Sequence, residues 1–356
     1  MPGGDLRGQC RPRRHGRCRR PAALLSGGLE GAGSSEQGTD LGRAAIGVDV
    51  GGTKVLGVAV DAGGTIVHQR RAATPSGAEA VVAVLAEMVD ELRRHVDDVV
   101  AVGVGVPGLV DGRGTLRFAP NLPGVVELDL RRLLAVATGL AVRVDNDATC
   151  ALRAEHRLGG ARGTGDAVLV TLGTGIGGGL LVGNRLARGA AGFAGEVGHM
   201  VVEAGGRECT CGRRGCWERY ASGSALGRMA TEAVVAGDGR RLVTLAGGEA
   251  EAVAGEHVVA AAAEGDPVAV VVMERFAGWV ALGLANLVHV LDVERCVIGG
   301  GLAAAGDIML APVRVALSRL VMAPDHRPPV HVVAAELGER AGAIGAALLA
   351  AERHDG

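Results

Sequence analysis

The chain has 356 residues, which is enough for two domains of ordinary size. Hydrophobic residues make up 48% and charged residues 21%, so the chain can bury a sizeable core and is not disordered as a whole. The formal net charge of -2 removes any general argument for nucleic-acid binding, which favours strongly basic chains. Glycine is unusually common, at 60 residues, but it has no three-residue period, which excludes a collagen-like fibre.

Residues 1–42 differ from the rest of the chain, because arginine outnumbers the acidic residues and the segment ends in a Gly/Ser-rich run. The apolar piece at 22–25 is shorter than the core of a secretory signal, which needs about 7–15 residues. We expect a disordered tail, or an extension created by a wrongly assigned start codon. The alternative is a basic arm that contacts an anionic partner.

From residue 44 onward the first half of the chain has clear strand and helix patterns. The patterns predict strands at 45–50, 55–60, 65–70, 99–106 and 141–144, and helices at 78–95 and from the end of the last strand through Leu158. The first three strands form a meander of hairpins, and the helix at 78–95 is amphipathic with a period of about 3.6 residues.

The second half repeats this order. It contains predicted strands at 167–172, 180–182, 293–298 and 330–334, a glycine turn at 173–179, and helices at 268–290 and 339–353. The apolar helix at 268–290 is preceded by a cap, Asp266, and by Pro267, and two charged residues interrupt it, so we expect a buried helix rather than a membrane span.

Two similar halves predict a duplicated α/β fold with a ligand cleft between two lobes. We expect a small lobe at 43–147, with the terminal helix 339–353 packing back on it, and a large lobe at 148–338. Ligands of open α/β sheets bind at the carboxyl ends of strands, where the polar motifs of this chain fall.

Three glycine turns at strand ends are candidate nucleotide-binding loops. The first runs from Asp49 through Gly51, Gly52 and Thr53 to Lys54, where glycines allow backbone N–H groups to approach a phosphate and Asp49 could hold magnesium. The second contains Thr174, Gly175 and Gly177, and the third contains Gly300 and Gly301. Each turn alone could be a tight hairpin. Together they indicate two facing loops that clamp a polyphosphate, as in the actin-like and hexokinase-like ATPase fold.

Lys54 is the only lysine in the chain. It is a candidate phosphate ligand because it follows the first glycine turn. It could equally be a surface lysine with no contact to a ligand.

A compact cysteine cluster predicts a structural zinc site. His199, Cys209, Cys211 and Cys216 lie within 18 positions and supply three thiolates and one imidazole, which is a closed tetrahedral zinc shell. A closed shell leaves no position for a catalytic water, so the zinc would be structural. The seven cysteines are too few and too unevenly spread for a disulfide framework, which favours a reducing, cytoplasmic location.

Carboxylates and amides near these motifs are the candidate sugar-binding residues, since sugar hydroxyls pair with such groups. They are Asn121, Asn146, Asp147, Glu196 and Glu218. Asp147 ends a predicted strand and is the candidate general base that takes the proton of an attacking hydroxyl. The alternatives are a helix N-cap for Asp147 and surface charge for Glu196 and Glu218.

The motifs resemble those of the ROK family of sugar kinases and regulators, in the same order along the chain. They are DVGGTK at 49–54, APNL at 119–122, DNDA at 145–148, LGTGIGGG at 172–179, GEVGH at 195–199, CTCGRRGCWERYASG at 209–223 and IGGGLA at 298–303. The resemblance covers about 44–350 and shows no departure at the site residues.

This resemblance implies an actin-like or hexokinase-like (ribonuclease H-like) two-lobed fold, ATP with magnesium, a structural zinc, and transfer of phosphate to the 6-hydroxyl of a hexose such as glucose. It assigns the base to Asp147, and zinc to His199, Cys209, Cys211 and Cys216. It assigns the sugar to Asn121, Asn146, Asp147, Glu196, His199 and Glu218, so that His199 uses one ring nitrogen for each ligand.

The alternatives are another hexose as substrate, polyphosphate as the phosphoryl donor, and a non-catalytic sugar-sensing regulator. Regulators of the family carry a DNA-binding module of several dozen residues, and residues 1–42 show no apolar helical period. We therefore expect a kinase that binds neither nucleic acid nor membrane, and that forms a dimer or tetramer, as the family often does.

Overall fold

The computed structural model describes residues 43–352, so the expectations for residues 1–42 lie outside the described residues. The strands are β1 Ala44–Val50, β2 Lys54–Val60, β3 Ile66–Ala73, β4 Val99–Val106, β5 Leu109–Val110, β6 Leu116–Phe118, β7 Val126–Leu128, β8 Ala141–Asn146, β9 Ala167–Leu172, β10 Ile176–Val182, β11 Arg185–Leu186, β12 Arg295–Gly299 and β13 His331–Ala334. The helices are α1 Ala78–Leu92, α2 Leu130–Thr138, α3 Asp147–Leu158, α4 Glu218–Ala221, α5 Gly223–Val235, α6 Arg240–Leu245, α7 Gly255–Ala263, α8 Pro267–Leu291, α9 Asp307–Leu320 and α10 Ala341–Ala351.

Two five-stranded sheets share one topology. The first has the order β3-β2-β1-β4-β8 and the second has the order β11-β10-β9-β12-β13. In each sheet an antiparallel meander of three strands is followed by two parallel strands on the other side of the first one. The duplication expected from the repeated strand, glycine turn, strand pattern is therefore present in the fold.

The strands of the first sheet differ in how far they are buried. β1 and β2 are buried on nearly every residue, because helices or other strands cover them, whereas β3 at the edge alternates between exposed and half-buried residues. Each sheet thus places its central strand, β1 or β9, inside the protein with the carboxyl end pointing at a glycine turn.

The last helix, α10, packs on the first sheet and on α3. Its backbone lies directly on β1 and β4: a Cβ on Gly47 would lie 1.9 Å from the carbonyl oxygen of Ala343, and one on Gly103 would lie 1.9 Å from that of Ala346. Only glycine permits so close an approach. The position of the boundaries at 147 and 338 between the two lobes stays a prediction.

The long helix α8 begins as the sequence indicates, with the Asp266 side chain accepting a hydrogen bond from the Ala269 N–H at 2.9 Å and Pro267 in the first turn. By length and composition α8 could cross a membrane, and within the described residues it is the one helix that could. Here it is a core helix, since fully buried residues such as Phe276 and Val280 line one face. The buried-helix prediction therefore agrees with the fold.

Two local predictions were wrong. The glycine turn expected at 173–179 is shorter, because 176–179 belong to β10 and pair with β9. The terminal helix begins at Ala341 rather than at 339, after a turn of 3-10 helix at Gly338–Arg340.

The small sheet β5-β6-β7 was not predicted, because its strands have only two or three residues each and no measurable periodicity.

Candidate active site

Asp49 and Asp147 lie together at the carboxyl end of the first sheet. Gly105 of β4 separates them: a Cβ at this position would lie 3.5 Å from Asp49 Oδ1 and 3.3 Å from Asp147 Cα. Burial, reinforced by the charge of Asp147 and opposed by that of Lys54, raises the pKa of Asp49 to about 8. Two carboxylates in one poorly solvated place are typical of a site for a cation or a proton.

Asp147 is the first residue of α3, and Asn146 is its N-cap. The Asn146 side-chain oxygen accepts a hydrogen bond from the Thr149 N–H at 3.1 Å, and its amide donates to the Gly108 carbonyl at 3.3 Å. The alternative of Asp147 as the cap is therefore wrong, because the preceding residue has that role. Burial raises the pKa of Asp147, while hydrogen bonds from its own and the Ala148 backbone N–H act against this.

A second group of acidic residues faces the same place from the other half of the chain. Glu196 Oε2 lies 3.8 Å from His199 Nε2, and Glu218 Oε1 lies 3.9 Å from His199 Nδ1. Burial is the main cause that raises the pKa of Glu196. The charge of His199 lowers it, and the charges of Asp147 and Glu218 raise it further. The second glycine turn and the start of β10 join the two groups: a Cβ on Gly177 would lie 3.2 Å from the Cβ of Ala148, next to Asp147, and one on Gly175 would lie 2.8 Å from Glu218 Oε2.

The four predicted zinc ligands converge. The ligand atoms of His199, Cys209, Cys211 and Cys216 all lie within 4.8 Å of one another. The Sγ atoms of Cys211 and Cys216 are 3.6 Å apart, close to the ~3.8 Å edge of a tetrahedron with Zn–S bonds of about 2.3 Å. His199 directs Nδ1 towards Cys209 Sγ, at 3.8 Å, so the other ring nitrogen is left facing Glu196. Three thiols and one imidazole in this arrangement suit zinc.

The first glycine turn is closed by its own backbone. The Gly51 N–H donates to the Lys54 carbonyl at 2.8 Å, and Thr74 donates its hydroxyl to the Gly51 carbonyl at 2.7 Å. Gly52 and Thr53 are left exposed at the tip. A Cβ on Gly52 would lie 3.5 Å from the Cβ of Asn121, so that candidate sugar residue stands beside the tip.

Lys54 Nζ lies 2.7 Å from the Glu339 carboxylate, and Arg71 pairs with the same carboxylate. Lys54 is thus paired in this structure, and its contact with a phosphate stays a prediction.

The second glycine turn has its tip at Thr174 and Gly175. Gly175 lies against Glu218, since a Cβ on Gly175 would be 2.8 Å from Glu218 Oε2. Gly177 differs from the expectation for a phosphate-binding loop: it lies in β10, and its N–H donates to the Thr171 hydroxyl at 3.1 Å. That N–H is therefore used within the sheet.

A cavity of about 690 Å³ opens beside the second turn. Thr174 and Gly301 line it, as expected. Ser224, Arg228 and Glu256 line it too, and sequence reasoning missed them, because α5 and α7 are distant in the chain from both turns. The only sequence signal was the Ser-Gly pair that starts α5. Gly300, with φ +80°, does not line the cavity. It packs against Leu172, where a Cβ would lie 2.5 Å from the Leu172 carbonyl oxygen.

Comparisons with known proteins agree with this geometry. The model of the ROK family matches residues 45–353. A glucokinase of Streptomyces coelicolor is 41% identical over 310 residues, which cover 86% of this chain and 97% of that protein. A glucokinase of Thermotoga maritima is 36% identical, with coverage of 87% and 98%. The crystal structure of a ROK family glucokinase from Streptomyces griseus in complex with glucose and AMPPNP is 41% identical with a TM-score of 0.78, and covers 86% of this chain and 99% of that one.

The fold and the site define a hexokinase-type sugar kinase with the hexokinase-like two-sheet fold, which confirms the predicted fold class. The chain belongs to the ROK family. The roles of individual site residues remain predictions.

Proposed function

We propose that this protein is a glucokinase that transfers the γ-phosphoryl group of ATP to the 6-hydroxyl of glucose. The observation that carries the proposal is the position of Asp147 beside Asp49 on one side and beside the second glycine turn, which contacts Glu218, on the other. The similarity to the Streptomyces griseus glucokinase, whose structure contains glucose and AMPPNP, supports both substrates.

In the proposed reaction Asp147 acts as the general base. Its carboxylate accepts the proton of the 6-hydroxyl as that oxygen forms a bond to the γ-phosphorus and the bond from phosphorus to the β-phosphate oxygen breaks. The products are ADP, glucose 6-phosphate and the proton on Asp147, which then passes to solvent. Burial favours this role, because it raises the pKa of Asp147 and makes the carboxylate a better proton acceptor.

The nucleotide and its metal would use both turns. Exposed Gly52, Thr53 and Thr174 and half-buried Gly175 offer backbone and hydroxyl donors to phosphates, and the cavity of about 690 Å³ has room for the nucleoside part of ATP. Asp49 is the one carboxylate of the first turn, and its poorly solvated position suits a site where a bound cation replaces the missing water. When bound, Mg²⁺ would neutralise phosphate charge.

The sugar would be held by Asn121, Asn146, Glu196, His199 and Glu218. Asn146 uses one amide hydrogen for the Gly108 carbonyl, so its second amide hydrogen is the one left for a sugar hydroxyl. His199 would offer Nε2 to the sugar and Nδ1 to zinc, as its orientation favours. Zinc would be structural and would fix the loop that carries Glu218.

We further propose a cytoplasmic protein, without a nucleic-acid or membrane partner, that assembles into a dimer or tetramer. Large apolar side chains stand exposed on α8 and beside α9, among them Val271, Val290 and Met322, at 63%, 79% and 75%. Met322 lies beside the end of α8 that carries Val290, since its N–H donates to His289 Nε2 at 3.0 Å, and contiguous exposed apolar side chains are typical of subunit contacts. Sedimentation velocity at several concentrations would measure the state.

The deciding experiment is a coupled assay of ADP release over glucose, mannose, fructose, N-acetylglucosamine and N-acetylmannosamine, with polyphosphate as a second donor. We expect glucose with ATP to give the highest kcat/KM. A higher value for another hexose would replace glucose as the substrate. Absence of ADP release with every sugar would favour the sugar-sensing regulator.

A further inference from the structure

A second cavity, of about 510 Å³, lies at the free edge of the first sheet. β8 is the outermost strand of that sheet, so one side of its backbone has no strand partner within the described residues. The floor is formed by β8 residues, by Cys150 of α3, and by the end of α10 around Leu349. No residue that lines this cavity also lines the proposed nucleotide cavity or belongs to the proposed sugar site. Asp145, which lines this cavity, directly precedes the proposed site residues Asn146 and Asp147.

Four arginines define the chemistry of this cavity. Arg113, Arg131, Arg143 and Arg188 all line it. Within residues 43–352 the guanidinium groups of Arg113 and Arg131 have no ion pair or hydrogen bond, and that of Arg143 donates only to the Glu352 backbone carbonyl, at 2.9 Å.

The carboxylates of the lining do not offset this charge, because each is already paired. Asp111 binds Arg117 at 2.7 Å, Asp145 binds Arg188 at 2.7 Å, and Glu352 binds Arg153. Positive charge is therefore in excess at the mouth of the cavity, and the forked donors of arginine match the oxygens of a phosphate group.

Hydrogen bonds fix the backbone around Arg113 and Arg131, the two rim arginines. The Asp111 carboxylate accepts the N–H groups of Arg113 and Thr115, at 2.9 and 3.0 Å, which fixes the turn. Gly114 then packs on α2, where the Arg131 N–H donates to the Gly114 carbonyl at 3.3 Å. The turn and the start of α2 thus fix the backbone of Arg113 and Arg131 at the cavity before any ligand arrives, so that only their side chains have to be ordered on binding.

We propose that this cavity is a second ligand site, which binds the phosphate monoester of a small polyol through Arg113 and Arg131. A cavity of about 510 Å³ has the size of a small-molecule site and is larger than a bare phosphate ion needs. The unpaired backbone of β8 and the amide of Gly192 offer hydrogen bonds to the hydroxyls of the polyol. A sugar phosphate, including the product of the proposed reaction, has this chemistry.

The site is placed to affect turnover, and this part rests on the proposed function. Arg188 belongs to the segment that leads to Glu196, and its partner Asp145 lies two residues before Asp147. Arg188 lines the same cavity as Arg113 and Arg131, so a phosphate bound there that also attracts the Arg188 guanidinium weakens its bond to Asp145. The end of β8, which leads to the proposed base at the start of α3, is then less firmly held. We expect the ester to slow the reaction without competing with glucose or ATP.

The test uses calorimetric titration with glucose 6-phosphate while glucose and AMPPNP saturate the active site. We expect one molecule to bind the wild-type protein, and at least about 100-fold weaker binding to Arg113→Gln/Arg131→Gln, since each of the two lost charged hydrogen bonds costs about tenfold. The control, Arg94→Gln/Arg162→Gln, removes two exposed arginines outside the cavity and should bind as the wild type does.

Each result decides a separate point. No binding to the saturated wild type, or equal binding to the double rim variant, would overturn the proposed site. Inorganic phosphate binding as tightly as the ester would overturn the ester as the ligand. If the glucokinase proposal fails, the wild type will release no ADP. The titration with glucose 6-phosphate would then be made without glucose and AMPPNP, and the difference in affinity between Arg113→Gln/Arg131→Gln and the control variant would still test the cavity.

Discussion

At the scale of single residues, Asp147 carries the chemistry of the proposed reaction. Its place at the first position of α3 is fixed by the Asn146 cap, so its carboxylate is not needed to hold the helix. We expect Asp147→Asn to lower kcat at least about 100-fold, the low end of general-base effects, while glucose still binds. Steady-state kinetics and glucose titration measure the two effects separately.

The control for this substitution is Asp129→Asn, at the N-cap of α2. Asp129 accepts a hydrogen bond from the Arg132 N–H, and asparagine caps a helix about as well as aspartate does. This variant should retain the kcat of the wild type. Near-normal turnover of Asp147→Asn would remove Asp147 from the role of base.

The same residue predicts a pH dependence. Burial raises the pKa of Asp147 above 3.8, and only the deprotonated carboxylate can accept a proton. Turnover should therefore fall as the pH falls through this raised pKa, at a higher pH than an ordinary aspartate would give. The profile of kcat against pH tests this, and the residual turnover of Asp147→Asn should lack that acid limb. An identical limb in both proteins would assign it to another group.

At the scale of elements, the loop from His199 to Glu218 depends on its metal. Glu218 comes two residues after Cys216 and begins α4, so a bound zinc that holds Cys216 would also fix the backbone that carries this carboxylate. We expect about one zinc per chain, and its loss in Cys211→Ala together with loss of glucose binding, because the loop would no longer be held. Elemental analysis and glucose titration measure both.

Cys296→Ala is the matched control, since Cys296 is buried in β12 outside the cluster and its loss should leave zinc in place. A wild-type protein that is fully active without zinc would contradict the proposal for the metal.

Glu155 of α3 fastens the segment that leads from β13 to α10. It is fully buried and accepts three backbone hydrogen bonds, from the N–H groups of Gly160, Glu336 and Leu337 at 2.7, 3.0 and 2.9 Å. Glu155→Ala leaves all three donors unpaired, the Gly160 N–H in a buried place and the other two in partly buried places, so we expect a loss of about 3–5 kcal/mol in the free energy of unfolding.

Glu155→Gln should lose less, because Oε2 serves two of the three donors and a carbonyl oxygen can replace it. Glu264→Ala, at an exposed glutamate paired with Arg241, should change stability very little, because solvent screens such a pair. Urea unfolding monitored by circular dichroism compares the three variants. If Glu155→Ala were as stable as Glu264→Ala, the segment would be held by other contacts.

These elements also show what the sequence could and could not predict. The convergence of the four proposed zinc ligands was predictable, because all four lie within 18 positions and the chemistry of the donor set is specific. The hairpins of β1 with β2 and of β9 with β10 were predictable from their patterns, although the glycines at 177–179 hid the start of β10. Ser224, Arg228 and Glu256 were missed because tertiary folding alone brings α5 and α7 to the nucleotide cavity. The hydrogen-bond partners of the buried Glu155 are backbone groups, which no residue pattern indicates.

At the scale of the whole molecule, the fold is closed by its last helix. α10 packs on β1, β4 and α3, so the end of the chain completes the core around its beginning. The contact is close: a Cβ on Gly103 would lie 1.9 Å from the carbonyl oxygen of Ala346 and 2.4 Å from its carbonyl carbon. Because these are backbone atoms, no side chain can move aside to make room.

We therefore expect Gly103→Ala to lower the free energy of unfolding by about 3 kcal/mol, the upper part of the usual range for overpacking. Gly278→Ala is the control, because Gly278 lies inside α8 with nothing within 4 Å of a Cβ, and alanine there should raise stability by about 0.5–1 kcal/mol. Urea unfolding of both variants measures the difference. Equal stability of the two would mean that α10 can shift along the sheet, and that the close contact at Gly103 does not fix its position.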